Sequence, residues 1–474
     1  MELLKINFLH IIMIIFFLLI SKSKINSKII FVFEHARHGT RTPPYNENSS
    51  YIDQFWTKWE GNGELTAVGK RMHYILGINN RIKYSSLIDF SKLNPKEIQI
   101  ISTNSTRTLK SLEAELHGMY LPGTGDILSE NELPLAYPPG KEYLPEEVIK
   151  EIDNMDNSTI IKGINLFPIQ FFRTGKVFLN EPDNCPYMTS YRLLLAERIN
   201  KTLTEFMKDF DKKYGDKLMK YLNKTNKDFI YTYGSLLDVT DNYICNYDNG
   251  KNLSEFLTKT GFDKDEFYKS AIEVKKFYLF HLSCDQQVGM LGATPHMIDL
   301  INYMDNKIND ENNVTYSKPK MVIQGGHDTT LNVLQFFMLK TFNIDLQYIK
   351  FGANIYFELH KDKIEDENED SNNDNNYNYT VKYFYDGKLM LKIDYDTFKQ
   401  KVLANVWNEE QIHNFCFQEE KDDNKNKDNS SIIIALIITI ILLFITTIIF
   451  ALLFLYYRNK ALSSCIINND KLIE

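Results

Sequence analysis

The sequence predicts an α/β protein with a doubly wound, mostly parallel sheet, helices on both faces and a smaller, mainly helical cap domain inserted into the chain. Three short apolar runs rich in β-branched residues are typical of buried central strands, and they lie at residues 28–33, 98–101 and 321–323. Polar residues follow each run, and helical patterns follow these. Units of strand, loop and helix build open parallel sheets whose faces are covered by helices.

The helices near these strands are predicted from apolar residues three or four positions apart. This spacing covers residues 65–75 after the first strand, 109–116 after the second and 331–338 after the third. Each of these helices would pack its apolar stripe against the sheet. The two strand–loop–helix units therefore support the same fold class as the strand composition.

The core is expected in two pieces, residues 24–126 and 315–417. Between them, residues 127–314 are dominated by helical patterns such as that of 193–207, and they are expected to form the cap. The chain is long enough to bury one large core or two moderate ones. A discontinuous core with an inserted cap follows.

A polar insertion interrupts the second half of the core. Residues 361–380 are acidic, rich in asparagine and without periodicity, and strand-like runs at 356–359 and 381–384 flank them. We interpret the insertion as a loop that joins two strands. A similar polar stretch, residues 418–431, is predicted to be a stalk.

Hydrophobic segments at the two ends of the chain predict export and anchoring. The segment within residues 1–23 is too short to span a bilayer and has the length of a signal-peptide core. Residues 432–457 carry no charge and are long enough for a transmembrane helix. Arg458 and Lys460 follow directly, which places the tail, 458–474, in the cytoplasm. The prediction is a single-pass type I membrane protein.

Two further features agree with export of the part of the chain between these segments. The first is a set of Asn-X-Ser/Thr acceptor sites for glycosylation. The second is an even number of cysteines in the exported part, which predicts two disulfides but not their pairing. The acceptor asparagines are Asn48, Asn104, Asn157, Asn200, Asn223, Asn252, Asn313, Asn378 and Asn429. The cysteines are Cys185, Cys245, Cys284 and Cys416.

The charge balance argues against nucleic acid as a partner. The chain has 54 basic and 62 acidic residues and a formal charge of -8. No basic tail or stripe stands out along the sequence, and such a feature is the usual electrostatic footprint of a nucleic-acid-binding protein.

All three central strands end in residues suited to binding a phosphate. The first strand leads into Arg37-His38-Gly39-Thr40-Arg41-Thr42-Pro43, the second into a loop with Arg107, and the third into Gly325-Gly326-His327-Asp328. The carboxyl ends of parallel strands lie along one edge of a sheet, where ligands bind. Distant segments should therefore converge on one pocket.

Hydrolysis of a phosphate monoester requires that dispersed negative charge be neutralised. Arg37, Arg41 and Arg107 carry planar guanidinium groups that match phosphoryl oxygens in a bidentate manner. The N-termini of the helices that follow the strands would add N–H groups on the same side. These residues are the predicted phosphate-binding groups.

The same reaction requires a nucleophile and a proton for the leaving oxygen. His38 can attack phosphorus through a neutral ring nitrogen if its other nitrogen donates to a backbone carbonyl. His327 can donate to the phosphoryl oxygens, and Asp328 can protonate the leaving oxygen. Because a carboxyl group next to a phosphate has its protonated form favoured, this chemistry predicts an acidic optimum.

These residues resemble a known family, the histidine acid phosphatases. The resemblance rests on the Arg-His-Gly-x-Arg-x-Pro motif at 37–43 and the later His-Asp pair at 327–328. The segment at 63–69 and the element from Ser102 to Ser111 are also similar to that family. The similarity covers most of 28–127 and 320–416.

The resemblance implies an acid phosphatase with a nucleophile at His38, a proton donor at Asp328, no metal and no cofactor. It also implies phosphate contacts from Arg37, Arg41, Arg107 and His327. Many family members have a cysteine near the position of Asn354, which this chain lacks. By comparison with the family, Cys185 would pair with Cys416, and Cys245 would change partner to Cys284.

Two alternatives remain at this stage. One is a phosphatase of inositol polyphosphates on the same fold, and the other is a catalytically silent binding protein of the membrane, such as a receptor or adhesion module, because a fold does not prove a function. The location is open between lysosome, vacuole and plasma membrane, and a homodimer is one option for the assembly. A cysteine-dependent phosphatase fits poorly, because Cys185 and Arg192 miss the required C-x5-R spacing.

Overall fold

A seven-stranded sheet organises the fold, seen in a computed structural model of the chain. The order across the sheet is β3-β2-β4-β1-β5-β6-β7. The structure describes residues 27–44, 61–139, 141–172, 185–223, 233–310, 319–363 and 377–417. The strands are β1 Ser27–Arg37, β2 Ile98–Ser102, β3 Ile169–Phe171, β4 Met321–Gly326, β5 Asn354–Lys363, β6 Tyr377–Tyr385 and β7 Lys388–Asp394.

The sheet has a parallel half and an antiparallel half. β1 pairs with β4, and β2 pairs with both β3 and β4, all in parallel. On the other side of β1, strands β5, β6 and β7 run antiparallel. The predicted α/β class is confirmed, and the antiparallel part is explained by short connections such as Asp386-Gly387, where both residues have positive φ.

Helices cover both faces of the sheet. They are α1 Ala67–Lys83, α2 Thr106–Met119, α3 Glu146–Asp153, α4 Pro186–Phe206, α5 Lys208–Phe210, α6 Asp216–Tyr221, α7 Tyr233–Asp248, α8 Ser254–Thr260, α9 Lys264–Ser283, α10 Gln286–Asp310, α11 Asp328–Phe342, α12 Tyr395–Asn405 and α13 Glu409–Cys416. A π-helical turn, Asp211–Gly215, lies between α5 and α6. Single 3-10 turns span Leu133–Leu135, Lys141–Tyr143 and Ile161–Gly163.

Alternation along β1 shows how the sheet separates two cores. Phe31 and Phe33 belong to the apolar cluster that includes Leu334 of α11. Val32, between them, belongs to a second cluster on the opposite face with Leu112 of α2. Successive side chains of a strand point to opposite faces, so a run without polar residues is buried on both sides. The apolar run read from the sequence is therefore a central strand.

Helices α4 to α9 surround a third apolar cluster that is rich in aromatic rings, among them Phe210, Tyr243, Phe256 and Phe267. Tyr243 and Phe267 meet edge to face with 4.7 Å between ring centroids. These helices lie within the region expected to form the cap. The boundaries of that domain stay a prediction.

Several predictions fall on residues outside the described ranges. These are the signal peptide at 1–23, the stalk at 418–431, the transmembrane helix at 432–457 and the tail at 458–474. Among the residues that the structure does describe, no helix combines the length and the apolar character needed to cross a membrane.

The cysteines agree with one predicted disulfide and contradict the other. Cys185 is bonded to Cys416. Cys245 and Cys284 are free thiols, so the predicted bond between them is wrong. Cys245 on α7 packs beside Phe351, whereas Cys284 follows α9 and packs against the main core cluster. Burial raises the pKa of both thiols to about 12, so both stay protonated.

Candidate active site

The carboxyl ends of β1, β2 and β4 meet at one edge of the sheet, as the sequence predicts. The backbone N–H of His38 donates to the carbonyl of Gly326 (3.1 Å), and that of Thr103 donates to the carbonyl of Gly325 (3.1 Å). The ring centroids of His38 and His327 are 5.4 Å apart. Strand pairing therefore brings the two distant motifs together.

The glycine in the first motif is required by a close backbone contact. A Cβ atom at Gly39 would lie 2.4 Å from the carbonyl oxygen of Gly69, and one at Gly69 would lie 2.2 Å from that of Thr40. Gly69 is in the first turn of α1, so the loop after β1 rests directly on this helix. The N–H of Gly39 also donates to Oγ of Ser111 (3.1 Å). The loop is thus held on both sides.

His38 is buried, with 3% of its surface exposed. Its Nδ1 lies 2.8 Å from the carbonyl oxygen of Gly39, so a proton on Nδ1 is donated there and Nε2 keeps a free lone pair. Burial lowers the pKa of His38 well below its usual value, and the positive charges of Arg37 and Arg41 lower it further. The ring is therefore neutral at acidic pH.

Two of the predicted phosphate ligands carry unused donors. Nη1 of Arg37 donates to the carbonyl of Ile349 (2.8 Å), and its guanidinium lies 4.0 Å from the ring centroid of Phe351. The buried Nε–H groups of Arg37 and Arg107 have no acceptor among the described residues. Unpaired buried donors are costly, so these groups suit a ligand that brings oxygen atoms.

His327 is held between Arg107 and Thr103. Its Nδ1 lies 3.4 Å from Nη2 of Arg107, and its Nε2 lies 3.1 Å from Oγ1 of Thr103. A guanidinium can only donate, so Nδ1 accepts and the ring proton is on Nε2. Burial lowers the pKa of His327 to about 4, and Arg107 contributes to this shift. A neutral His327 can donate a hydrogen bond from Nε2.

Asp328 begins α11 and is an ion-pair partner in this structure. Its Oδ2 lies 2.8 Å from Nη2 of Arg37 and 3.7 Å from Nζ of Lys275. Burial alone would raise the pKa of Asp328, but Arg37 and Lys275 lower it to about 2. The carboxyl group is therefore ionised here. The protonated form predicted beside a phosphate requires that Arg37, the nearer of the two cations, be engaged elsewhere.

Three site residues were not found from the sequence. Asp241 on α7 accepts from Nη2 of Arg41 (3.0 Å) and from Nζ of Lys275 on α9 (2.5 Å). Phe351 lies beside the His38 ring, with 5.7 Å between centroids. In the sequence, nothing distinguishes Lys275 from the other lysines of this helical region. Its position on the buried, apolar side of α9 is the signal that could have identified it.

A second group of buried polar side chains, the carboxyl cluster, lies behind the loop and consists of Glu34, His73, Asn80 and Glu115. Nε2 of His73 donates to the carbonyl of Arg37 (2.9 Å), and its Nδ1 lies 3.0 Å from Oε2 of Glu115. Asn80 donates to both carboxyl groups (2.9 and 3.0 Å). Burial raises the pKa of Glu115 to about 8 and that of Glu34 well above its usual value.

The carboxyl cluster is thus uncharged at acidic pH. Because Nε2 of His73 donates to a carbonyl, its Nδ1 must accept, and Glu115 supplies the proton. Both ring nitrogens of His73 are occupied by these contacts, so its role is structural. The ring connects α1 and α2 to the last residue of β1.

The described ranges contain no group of three or more His, Cys, Asp or Glu residues arranged to hold a metal ion. The charged groups around His38 include the guanidinium groups of Arg37, Arg41 and Arg107. Guanidinium donors are suited to an anion.

A family model described as the histidine phosphatase superfamily (branch 2) matches residues 28–386. The chain is similar to the lysosomal acid phosphatase of Xenopus laevis, with 36% identity over 102 residues, 21% of this chain and 23% of that protein. It is similar to the lysosomal acid phosphatase of Homo sapiens, with 34% identity over 93 residues, 19% of this chain and 21% of that protein. These matches span about a fifth to a quarter of the relatives' length.

The fold is similar to that of a Hafnia alvei phytase in its apo form, with a TM-score of 0.52 and 12% sequence identity. The alignment covers 80% of this chain and 97% of the phytase. At this identity the likeness concerns the fold alone. It agrees with the mixed sheet and the helices inserted between β3 and β4.

Proposed function

The chain belongs to the histidine phosphatase superfamily, branch 2, and on this basis we propose that it is an acid phosphatase that hydrolyses phosphate monoesters through a phosphohistidine at His38. The single observation that carries the proposal is the juxtaposition at the sheet edge. A buried, neutral imidazole lies among guanidinium groups, and two of these, Arg37 and Arg107, have Nε–H donors without an acceptor in the described residues.

In the proposed reaction, Arg37, Arg41 and Arg107 bind the phosphoryl oxygens and neutralise their charge. Nε2 of His38 attacks phosphorus, and the bond from phosphorus to the ester oxygen breaks. Asp328 gives its proton to the departing oxygen, which leaves as an alcohol. The positive phosphohistidine is supported by the carbonyl of Gly39 at Nδ1.

The second half of the reaction releases phosphate. A water molecule attacks the phosphorus of phosphohistidine, and the Asp328 carboxylate accepts one of its protons. The bond from phosphorus to Nε2 breaks, so His38 returns neutral and inorganic phosphate leaves. His327 donates from Nε2 to a phosphoryl oxygen in both steps.

Binding of the substrate supplies the protonated form of Asp328. Phosphoryl oxygens compete with the Asp328 carboxylate for Arg37, and the phosphate adds negative charge nearby. Both effects raise the pKa of Asp328 above its value of about 2 in the ion-paired state. Activity should therefore peak at acidic pH and fall towards neutral pH. A rate that climbs steadily through pH 8 would contradict the acid role of Asp328.

Hydrolysis of p-nitrophenyl phosphate without added metal tests the proposal. His38→Ala should lose at least about a thousandfold in kcat, because no nucleophile remains. His117→Ala is the matched control, since His117 packs on Phe167 with 5.1 Å between centroids and lies outside the site. If His38→Ala kept the wild-type rate, His38 would not be the nucleophile.

The intermediate can be trapped in Asp328→Asn. With p-nitrophenolate as leaving group, the first step needs no proton donor, but the second lacks its base. Phosphohistidine should therefore accumulate and be found by mass spectrometry on the peptide that contains His38. An active enzyme that shows no phosphopeptide under single-turnover conditions would contradict the covalent mechanism.

We also propose that this catalytic part lies on the lumenal or extracellular side of a membrane, anchored as a type I protein. The Cys185–Cys416 disulfide supports an oxidising compartment. The acceptor asparagines among the described residues that support export are exposed at positions 104, 157, 223, 252 and 378. The names of the relatives favour the lysosome among the predicted locations.

Protease protection of intact vesicles tests this topology. A protease added outside the intact vesicles should leave the catalytic part undigested. Treatment of the protein with a glycosidase should lower its apparent mass. Release of the whole chain by alkaline carbonate would argue against the predicted helix at 432–457. The predicted homodimer and the predicted cap boundaries stay predictions, to be checked by sedimentation and by limited proteolysis.

A further inference from the structure

Two charged side chains of the site have no part in the proposed reaction. They come from helices α7 and α9. Nζ of Lys275 donates to Oδ1 of Asp241 (2.5 Å) and lies 3.7 Å from Oδ2 of Asp328. Oδ2 of Asp241 accepts from Nη2 of Arg41 (3.0 Å). Lys275 has 3% of its surface exposed, and Asp241 has 6%.

The charges alternate in sign along this group. Starting from Arg41, they pass through Asp241, Lys275 and Asp328 and end at Arg37. A fully buried lysine is rare, and burial of its charge is costly unless anions lie beside it. Both anions beside Lys275 belong to the site, and one of them is the proposed proton donor. This ammonium group is therefore placed where the leaving oxygen is protonated.

We propose that Lys275 is a positioning residue for the reaction, whose ammonium group holds the Asp328 carboxyl group at the leaving-group side while the phosphate occupies Arg37. The inference rests on the proposed phosphatase function. It adds a residue from the helical insertion to a site otherwise built by the ends of the strands.

The first step of the argument concerns orientation. In this structure Arg37 and Lys275 lie on the same carboxyl oxygen of Asp328, at 2.8 and 3.7 Å. When Arg37 turns its donors to phosphoryl oxygens, Lys275 is the remaining close cation on that oxygen. Asp241 holds Lys275 in place and is itself held by Arg41. The Asp328 carboxyl group thus keeps its orientation after Arg37 has turned to the phosphate.

The second step concerns proton transfer. A cation beside Asp328 opposes its protonation, so removal of Lys275 should raise the pKa of Asp328 and extend activity to higher pH. The other groups that act electrostatically on Asp328 remain in such a variant. They are Arg37 from β1, Arg41 from the following loop, Arg107 from α2, His327 before α11 and Tyr348 before β5. A purely structural lysine would not move the pH profile.

The third step of the argument compares two substrates whose leaving groups differ in their need for a proton. p-Nitrophenolate departs without a proton, whereas the alkoxide of glycerol 2-phosphate needs Asp328. A misdirected Asp328 should therefore slow the first step for the second substrate only. The attack of water on the phosphohistidine is common to both substrates, so the first step is measured by itself, as the rate at which alcohol or phenol is released in a single turnover. The ratio of the two single-turnover rates reports the position of the proton donor independently of the amount of folded enzyme.

The experiment measures the single-turnover rate of release of glycerol or p-nitrophenol against pH for the full chain and for Lys275→Met. We expect the alkaline limb for glycerol 2-phosphate to move up by about one pH unit. At the wild-type optimum, the rate on this substrate should fall by about tenfold, and the rate on p-nitrophenyl phosphate should fall by less than about twofold. Lys275→Arg, which keeps the charge, should restore most of both.

Lys276→Met is the matched control on the same helix. Nζ of Lys276 lies 2.7 Å from Oε1 of Glu273 on the protein surface. The pH profile of this variant and its ratio of rates on the two substrates should therefore equal those of the wild type. If Lys275→Met fails to fold, Lys275→Met with Asp241→Asn removes one charge of each sign and is measured instead, with the same change in the ratio of the two rates expected.

An unchanged pH profile together with an unchanged ratio of single-turnover rates would overturn the inference, whichever of the two variants is measured. An equal fall on both substrates without a shifted profile would also overturn it, because it describes a structural role. A wild-type chain inactive on both substrates would overturn the phosphatase proposal itself.

Discussion

The site and the carboxyl cluster are two buried polar regions that meet at the backbone of Arg37, and they treat charge in opposite ways. Asp241 is buried next to two cations, which outweigh the effect of burial and hold its pKa below its usual range. Glu115 is buried without a cation, and its pKa rises to about 8. The difference teaches that the placement of cations, and not burial alone, decides which carboxyl groups are ionised.

The two regions also differ in the interactions that stabilise them. The site depends on ion pairs whose members come from β1, α7, α9 and α11. The carboxyl cluster depends on neutral hydrogen bonds in which Asn80 serves both carboxyl groups. Loss of charge should therefore damage the first region and leave the second unaffected, which the following changes test.

The largest effect is expected for Asp241→Leu. The change leaves Arg41 and Lys275 buried near each other without the anion between them, and it should lower the free energy of unfolding by about 4 kcal/mol. Urea unfolding of the purified protein measures it. Glu255→Gln removes a surface partner of Lys259 and should cost less than about 0.5 kcal/mol. Equal effects of the two changes would refute the distinction.

A smaller effect is expected from pH. The folded pKa of Glu115 is raised to about 8, so its contribution to stability is complete below its unfolded pKa and is lost as pH rises towards 8. Between pH 5 and pH 8 the free energy of unfolding of the wild type should fall by about 3 kcal/mol relative to that of Glu115→Gln, because the buried histidines of lowered pKa contribute equally to both proteins. Urea unfolding of the two proteins across this range measures the difference. A difference that stays constant over this range would show that Glu115 is ionised in the folded protein.

Phe351→Leu should have an intermediate effect confined to the site. The Phe351 ring lies 4.0 Å from the Arg37 guanidinium and 5.3 Å from Nζ of Lys275. Loss of the aromatic ring face beside these two cations should reduce the free energy of unfolding by about 1 kcal/mol, and it should raise KM more than it lowers kcat. Steady-state kinetics of Phe351→Leu and Phe351→Tyr compare loss with retention of the ring. The result would be contradicted if both variants behaved alike.

The smallest effect is expected for Glu115→Gln at pH 5. A protonated glutamic acid and a glutamine both donate to Nδ1 of His73 and accept from Asn80, so stability should change by less than about 1 kcal/mol. At pH 9 the variant should be the more stable protein, because it has no carboxyl group to ionise. A large loss at pH 5 would mean that Glu115 is charged.

The sequence allowed much of the site to be predicted, because each strand-end motif is local. Arg37 and His38 follow a buried strand directly, and Asp328 follows another, so parallel pairing is enough to bring them together. The second disulfide was predicted wrongly for a related reason. Cys245 and Cys284 lie on different helices, and only the packing of those helices places the Cys245 thiol beside Arg41, 3.4 Å from Nη1.

By itself the sequence determined the fold class, the strand-end motifs and the candidate groups for binding and attacking a phosphate, because strand patterns and short motifs act over a few neighbouring residues. Only the tertiary structure decided that Lys275 and Asp241 join the site and that Glu115 stays protonated. These outcomes depend on which side chains meet after helices from distant segments pack together, and electrostatic effects in a buried region depend on those meetings.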